Sequence, residues 1–150
     1  MSEIFVDADG CPVKQEIYRV AKRHMLRVIL VSNSLLRLPQ GDWVRQVVAG
    51  GNLDAADDWI AEHVAENDIV ISGDIALASR CLAKGAVVVD PRGGTFTEGN
   101  IGDALGMAGL FSHLRGAGTI TGGPAPFEKR HRSLFLQRLE EAIQAARGKK

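Results

Sequence analysis

Aspartates recur in this chain where apolar runs stop. "IFVDADG" ends its apolar run on Asp7 and sets Asp9 two residues further on; "DIVISGD" places Asp74 two residues beyond another run. "LDAADDWI" spaces Asp54, Asp57 and Asp58 through what reads as the first turns of a helix. Clustered carboxylates repel one another and desolvate badly, so they need a cation to sit together. No Cys/His grouping is present to select zinc, so a hard, oxygen-seeking ion such as Mg²⁺ or Mn²⁺ is the natural choice. Each acid also has a plainer role. Asp9-Gly10 is a turn dipeptide, Asp54 and Asp74 can each cap a helix, and Asp58 can simply be solvated. Asp7 is the exception, because a carboxylate finishing a core strand is costly without a partner.

These acids need elements to position them, and periodicity supplies an alternating α/β order. Strands are expected at 4–7, 27–33, 44–51, 68–72 and 86–90, the last of these closing the series. Helices are expected from Pro12 to about His24, over 53–66 and over 75–84, where Gly85 ends the run. Thr95-x-x-Glu98 reads as a capping box opening a helix that carries Ile101, Leu105 and Leu114. A glycine-rich connection over 115–126 leads to a final amphipathic helix over 127–147, with Phe127, Leu134, Leu139 and Ile143 on its apolar side. The expectation is one three-layer α/β domain over 1–150: a mainly parallel sheet of four to five strands with helices on both faces. In such sheets ligands sit beyond the carboxyl ends of the strands, where the strand order reverses. If the strands at 4–7 and 68–72 are neighbours, the acids converge on one rim.

Composition narrows the setting. The 150 residues are 45% hydrophobic and 24% charged, ordinary for a globular domain. The longest apolar runs are too short to span a bilayer, the first residues lack a signal-peptide pattern, and Cys11 and Cys81 form no CxxC. A reduced cytoplasmic location without a membrane partner is the expectation. Net charge is zero, but residues 1–75 hold 12 Asp/Glu against 7 Lys/Arg and residues 76–150 hold 6 against 11. An acidic half with a metal site and a basic half that holds phosphates suit a nucleic-acid substrate.

Two families share parts of this pattern. Haloacid-dehalogenase phosphatases open with a strand and Asp-x-Asp-Gly, as "VDADG" does, and Ser32 and "ISGD" resemble their later motifs. Against that match, Pro12 starts a helix where a flap belongs, Lys84 follows "ISGD" instead of preceding it, and Ala78 fills the place of an acid. Over nearly its whole length the chain more closely resembles the YaiI/YqxD family, regarded as part of the PIN-like nuclease superfamily. "VDADGCPVK", "DAADDWI", "VISGDIALA", "DPRGGTFTEGNI" and "GGPAPF" carry the resemblance in order.

The resemblance implies a PIN-like fold with catalytic acids at Asp7, Asp57 and Asp74, and metal ligands drawn from these with Asp9 and Asp54. It implies a divalent-metal-dependent nuclease acting on nucleic acid, single-stranded RNA in the first place. The alternative is a PIN-like module that binds RNA or protein without cutting. One departure stands out: His131-Arg132 occupies a place where the family pattern leads one to expect Asp-Arg. Arg92, with the N–H groups of Gly93 and Gly94, is the candidate for holding a phosphate. Ser72 and Asn33 are candidates for contacting ligand or its water, and Lys129, Arg130 and Arg132 for contacting backbone phosphates.

Overall fold

The structure is a computed structural model and describes residues 2–9, 11–50, 55–97, 99–102 and 127–148. Asp54, Glu98, Leu105, Leu114 and the expected connection over 115–126 lie outside the described residues.

The elements are β1 (Glu3–Asp7), α1 (Lys14–His24), β2 (Arg27–Ser32), β3 (Val44–Val48), α2 (Ala55–His63), β4 (Ile69–Ile71), α3 (Ile75–Leu82), β5 (Val87–Val89), β6 (Thr95–Phe96) and α4 (Lys129–Gly148). They build one six-stranded sheet in the order β3-β2-β1-β4-β5-β6. All neighbouring pairs are parallel except β5–β6. The strand at 86–90 is therefore not the last. Thr95, expected to cap a helix, pairs antiparallel with Val89. The capping exchange is made two residues later, where Asn100 N–H bonds Thr97 Oγ1 and Thr97 N–H bonds Asn100 Oδ1.

Alternation along the strands divides the core in two. Ile4, Val6, Val28, Leu30, Ile69 and Ile71 face α1 and α4, meeting Val13, Ile17, Phe135, Leu139 and Ile143. Phe5, Ile29, Val31, Val70 and Val88 face α2 and α3, meeting Ala56, Ile60, Leu77 and Ala78. Each of the larger side chains contributes roughly 1.5–3 kcal/mol by leaving water. The central strands are apolar on both faces because both are covered. Among the described residues no helix is long and apolar enough to cross a membrane.

The helix ends set the direction of each element. α1 begins at Lys14, two residues later than Pro12 suggests, and closes on Met25 in the left-handed region at φ 57°. Met25 N–H bonds to Lys22 O and Leu26 N–H to Ala21 O, a Schellman closure without glycine. α4 runs alongside α1, with ion pairs Arg132–Glu16 and Arg23–Glu140 and a 2.8 Å contact between His24 Nε2 and Glu140 Oε2.

One acid is purely structural. Asp68, 5% exposed at the amino end of β4, accepts Glu3 N–H at 3.0 Å and Ala65 N–H at 2.9 Å. Asp68→Ala leaves two part-buried donors without their carboxylate, and thermal unfolding should show a loss of about 1–2 kcal/mol, a drop of roughly 2–8 °C in Tm. An unchanged Tm would contradict this role.

Candidate functional site

The strand order reverses between β1 and β4. From β1 the chain steps outward through β2 to β3; β4 then returns to the other side of β1 and leads on to β5. The carboxyl ends of β1 and β4 therefore frame the crevice where doubly wound sheets bind ligands. Val6 pairs with Ile71, so the next residues along, Asp7 and Ser72, stand side by side.

Ser72 is buried and its hydroxyl is fixed from two directions. Its Oγ accepts Asp74 N–H at 3.0 Å and donates to Asp7 Oδ2 at 3.0 Å. Because one lone pair is taken by an N–H, the hydroxyl proton is directed at the Asp7 carboxylate. Asp74 caps α3, its Oδ1 accepting Leu77 N–H at 3.0 Å. Asp9 Oδ2 accepts Asn33 N–H at 2.9 Å, tying the turn after β1 to the end of β2. Burial raises the Asp7 pKa above the usual carboxylate value; the Ser72 hydroxyl opposes this, and the charges of Asp74 and Asp9 add to it. The protein thus holds a carboxylate where, by itself, it disfavours the charge.

A cleft of about 360 Å³ opens above these residues, lined by Asp7, Asp9, Cys11, Pro12, Gly73, Asp90, Pro91 and Arg92. Asp90 finishes β5 as Asp7 finishes β1. Its Oδ1 accepts Arg92 N–H at 2.8 Å, its carbonyl accepts Gly93 N–H at 2.8 Å, and its own N–H bonds to Gly94 O at 2.9 Å. This tight loop needs Gly93 at φ 93°, where Leu134 of α4 packs so closely that an added Cβ would lie 2.5 Å from its Cγ. Gly93 N–H is therefore committed to Asp90, whereas Arg92 lines the cleft itself. Cys11 is buried at the cleft wall, and burial pushes its thiol pKa up, so it is a neutral packing group.

The structure brings Asp7, Asp9, Asp74 and Ser72 to one rim, with Asn33 and Arg92 at its edges. It sets Asp57 beside α3, where its charge acts on Arg80 and Cys81 and its neighbour Asp58 pairs with Arg80 at 2.8 Å. Neither Asp57 nor Asp74 is among the residues that line the cleft; Asp74 is joined to it through Ser72, which bonds both Asp74 N–H and Asp7 Oδ2. Among the described residues no three Asp, Glu, His or Cys side chains are grouped closely enough to hold a metal by themselves. Asp90 is the acid that reading the sequence passed over. The signal was there in "AVVVD", an apolar strand ending on a carboxylate, the same reason that singled out Asp7.

A family profile described as "Uncharacterized BCR, YaiI/YqxD family" matches residues 5–145. The chain belongs to the YaiI/YqxD family. A UPF0178 protein of Rhodospirillum rubrum is 53% identical over 146 residues, covering 97% of both chains. UPF0178 proteins of Brucella ovis and Rhodopseudomonas palustris are 54% and 51% identical, over 93% and 95% of this chain and 88% and 90% of their own. No solved structure matches the chain. Family membership accounts for the ordered series of motifs, which includes "DPRGG", the loop that Asp90 organises.

Proposed function

We propose that this YaiI/YqxD member is a PIN-like, divalent-metal-dependent phosphodiesterase acting on nucleic acid, with single-stranded RNA as its first substrate. The observation that carries the reading is Asp7. A carboxylate at the sheet's switch point, desolvated and repelled by Asp74 and Asp9, is an energetic liability that a cation would relieve. The residues fit Mg²⁺ or Mn²⁺. Mg²⁺ keeps several waters and binds through one or two carboxylates plus substrate phosphates, so a set of three protein ligands is not required. Asp7 and Asp74 would hold the ion, with Asp9 and Asp90 facing its waters. Asp57, set toward Arg80 and outside the cleft lining, is left out of this ligand set. When bound, such an ion lowers the pKa of water and offsets charge on the phosphate.

The chain's own groups do the rest. Ser72 donates to Asp7 Oδ2 and leaves Oδ1 for the ligand. Leu77 N–H holds Asp74 Oδ1 and leaves Oδ2. Arg92, which also lines the cleft, would offer a fork-shaped cation to phosphate, on a loop held by Asp90 and Leu134. Arg132 and Arg130 are engaged with Glu16 and Glu128, so Lys129 is the better candidate for backbone phosphate.

A second reading, a binding module that does not cut, draws on the lack of a three-ligand group among the described residues. One assay separates the two. Labelled single-stranded RNA and DNA are incubated with the protein, with and without Mn²⁺, beside Asp7→Asn, Asp57→Asn and Asp74→Asn. Mn²⁺-dependent cleavage, lost in Asp7→Asn and Asp74→Asn, is expected. Cleavage that ignores both substitutions would remove the site, and binding without cleavage would favour the module.

A further inference from the structure

At the amino ends of β2 and β3, the end of the sheet away from the acidic cleft, lies a second cavity of about 390 Å³. Its size is that of a small-ligand pocket. Lys22, Met25, Leu26, Arg27, Asp42 and Trp43 line it. Two of these residues sit in ways that the fold alone does not require.

Met25 is unfavourable twice over. It closes α1 at φ 57°, a conformation that glycine or asparagine takes most easily, so a bulky residue there is a true outlier. It is also 88% exposed, although apolar. Glycine would close the helix without either penalty, and an observed backbone outlier points toward function. A thioether is a soft, adaptable contact for a flat ligand.

Trp43 is held ready for such a contact. Its Nε1–H donates to Gln40 O at 3.3 Å, and Tyr18 meets it nearly at right angles with ring centroids 5.9 Å apart. Gly41, at φ 129°, lets the loop fold back onto the indole, since an added Cβ would lie 2.5 Å from Nε1. Lys22 Nζ stands 5.6 Å from the centre of the same ring.

The charges select the occupant. Lys22 and Arg27 against Asp42 give the lining a net charge of +1. A smaller cavity that shares Arg27, Asp42 and Trp43 adds Glu3 and Arg45, one charge of each sign, so the balance holds. An anion is therefore preferred to a zwitterion such as an aromatic amino acid. Asp42 adds an acceptor for N–H groups. A flat face, an N–H edge and an anionic group occur together in a purine mononucleotide, whose phosphate carries about −1.5 to −2 at pH 7. Base stacking on an aromatic side chain is a strong and general contact.

We infer that this cavity binds a purine nucleoside monophosphate, its base on Trp43 and Met25, its N–H groups toward Asp42 and its phosphate on Lys22 and Arg27. The site stands apart from the proposed phosphodiesterase centre and does not depend on it.

Isothermal titration with GMP, guanosine and inorganic phosphate, all in EDTA, tests the inference. Without a cation the acidic cleft repels phosphate, so binding reports on this cavity. The proteins compared are the wild type, Met25→Gly and the double variant Lys22→Gln/Arg27→Gln, all at exposed positions. The wild type should bind GMP more tightly than guanosine or phosphate. Met25→Gly should unfold at or above the wild-type temperature yet bind GMP roughly three- to tenfold more weakly. The double variant should lose roughly tenfold for GMP and nothing for guanosine. A wild type that does not bind GMP, guanosine bound as tightly as GMP, or equal GMP affinity in all three proteins would overturn the site. A lower Tm for Met25→Gly would do so too, by showing that Met25 serves the fold. None of these results bears on cleavage at the acidic cleft.

Discussion

Asp7→Asn should make the metal-free protein more stable while removing its response to metal. In EDTA at pH 7 the wild type carries at residue 7 a charge that burial and two neighbouring carboxylates disfavour. Asn keeps an acceptor for the Ser72 hydroxyl and drops the charge. The sign follows from linkage. The folded pKa of Asp7 lies above its unfolded value of 3.8, so the native state binds more protons between the two. The contribution of Asp7 is therefore most favourable below 3.8 and falls as pH rises through its folded pKa, so the penalty is present above that pKa. Asp7 is partly exposed, so after screening the gain is up to about 1 kcal/mol, or roughly 2–4 °C in Tm. Metal reverses the ranking. At about one hundred times its Kd, an ion adds about 2.7 kcal/mol to the wild type, roughly 5–10 °C, and nothing to Asp7→Asn. Scanning fluorimetry in EDTA and in Mn²⁺ reads both effects. A variant that loses stability in EDTA, or matches the wild-type shift in Mn²⁺, would contradict the assignment.

Asp74 separates structure from chemistry by the choice of replacement. Its Oδ1 caps α3 by accepting Leu77 N–H, and Asn caps about as well as Asp, whereas Ala costs typically about 1 kcal/mol. Asp74→Asn should therefore unfold near the wild-type temperature and Asp74→Ala a few degrees lower. Both should lose cleavage by a similar factor, of order 10²–10³, the scale seen when one charge-stabilising group is removed from an active site. If Asp74→Asn cuts like the wild type while Asp74→Ala is merely less stable, Asp74 is a helix cap and no more.

The sheet could be read from the sequence because its strands are continuous apolar runs; that β1 and β4 are neighbours was only a condition there, and their pairing is what sets Asp7 beside the end of β4. β6 escaped notice for a plain reason: two residues, Thr95 and Phe96, are too short to show alternation, and their pairing with Val88 and Val89 is set by the loop that Asp90 and Gly93 turn. The cap expected at Thr95 falls instead at Thr97, because Thr95 is taken by the sheet. Spacing alone places Asp57 in the first turn of α2 without fixing which way it faces; packing of α2 against α3 turns its charge toward Arg80.

The account stands on a cation shared by Asp7 and Asp74, and electron paramagnetic resonance of Mn²⁺ titrated with the protein at pH 7.5 addresses it without any substrate. Addition of wild type should deplete the free-ion signal with saturation, and neither Asp7→Asn nor Asp74→Asn should do so. Depletion by those two variants equal to the wild type's, or none by the wild type, would contradict it.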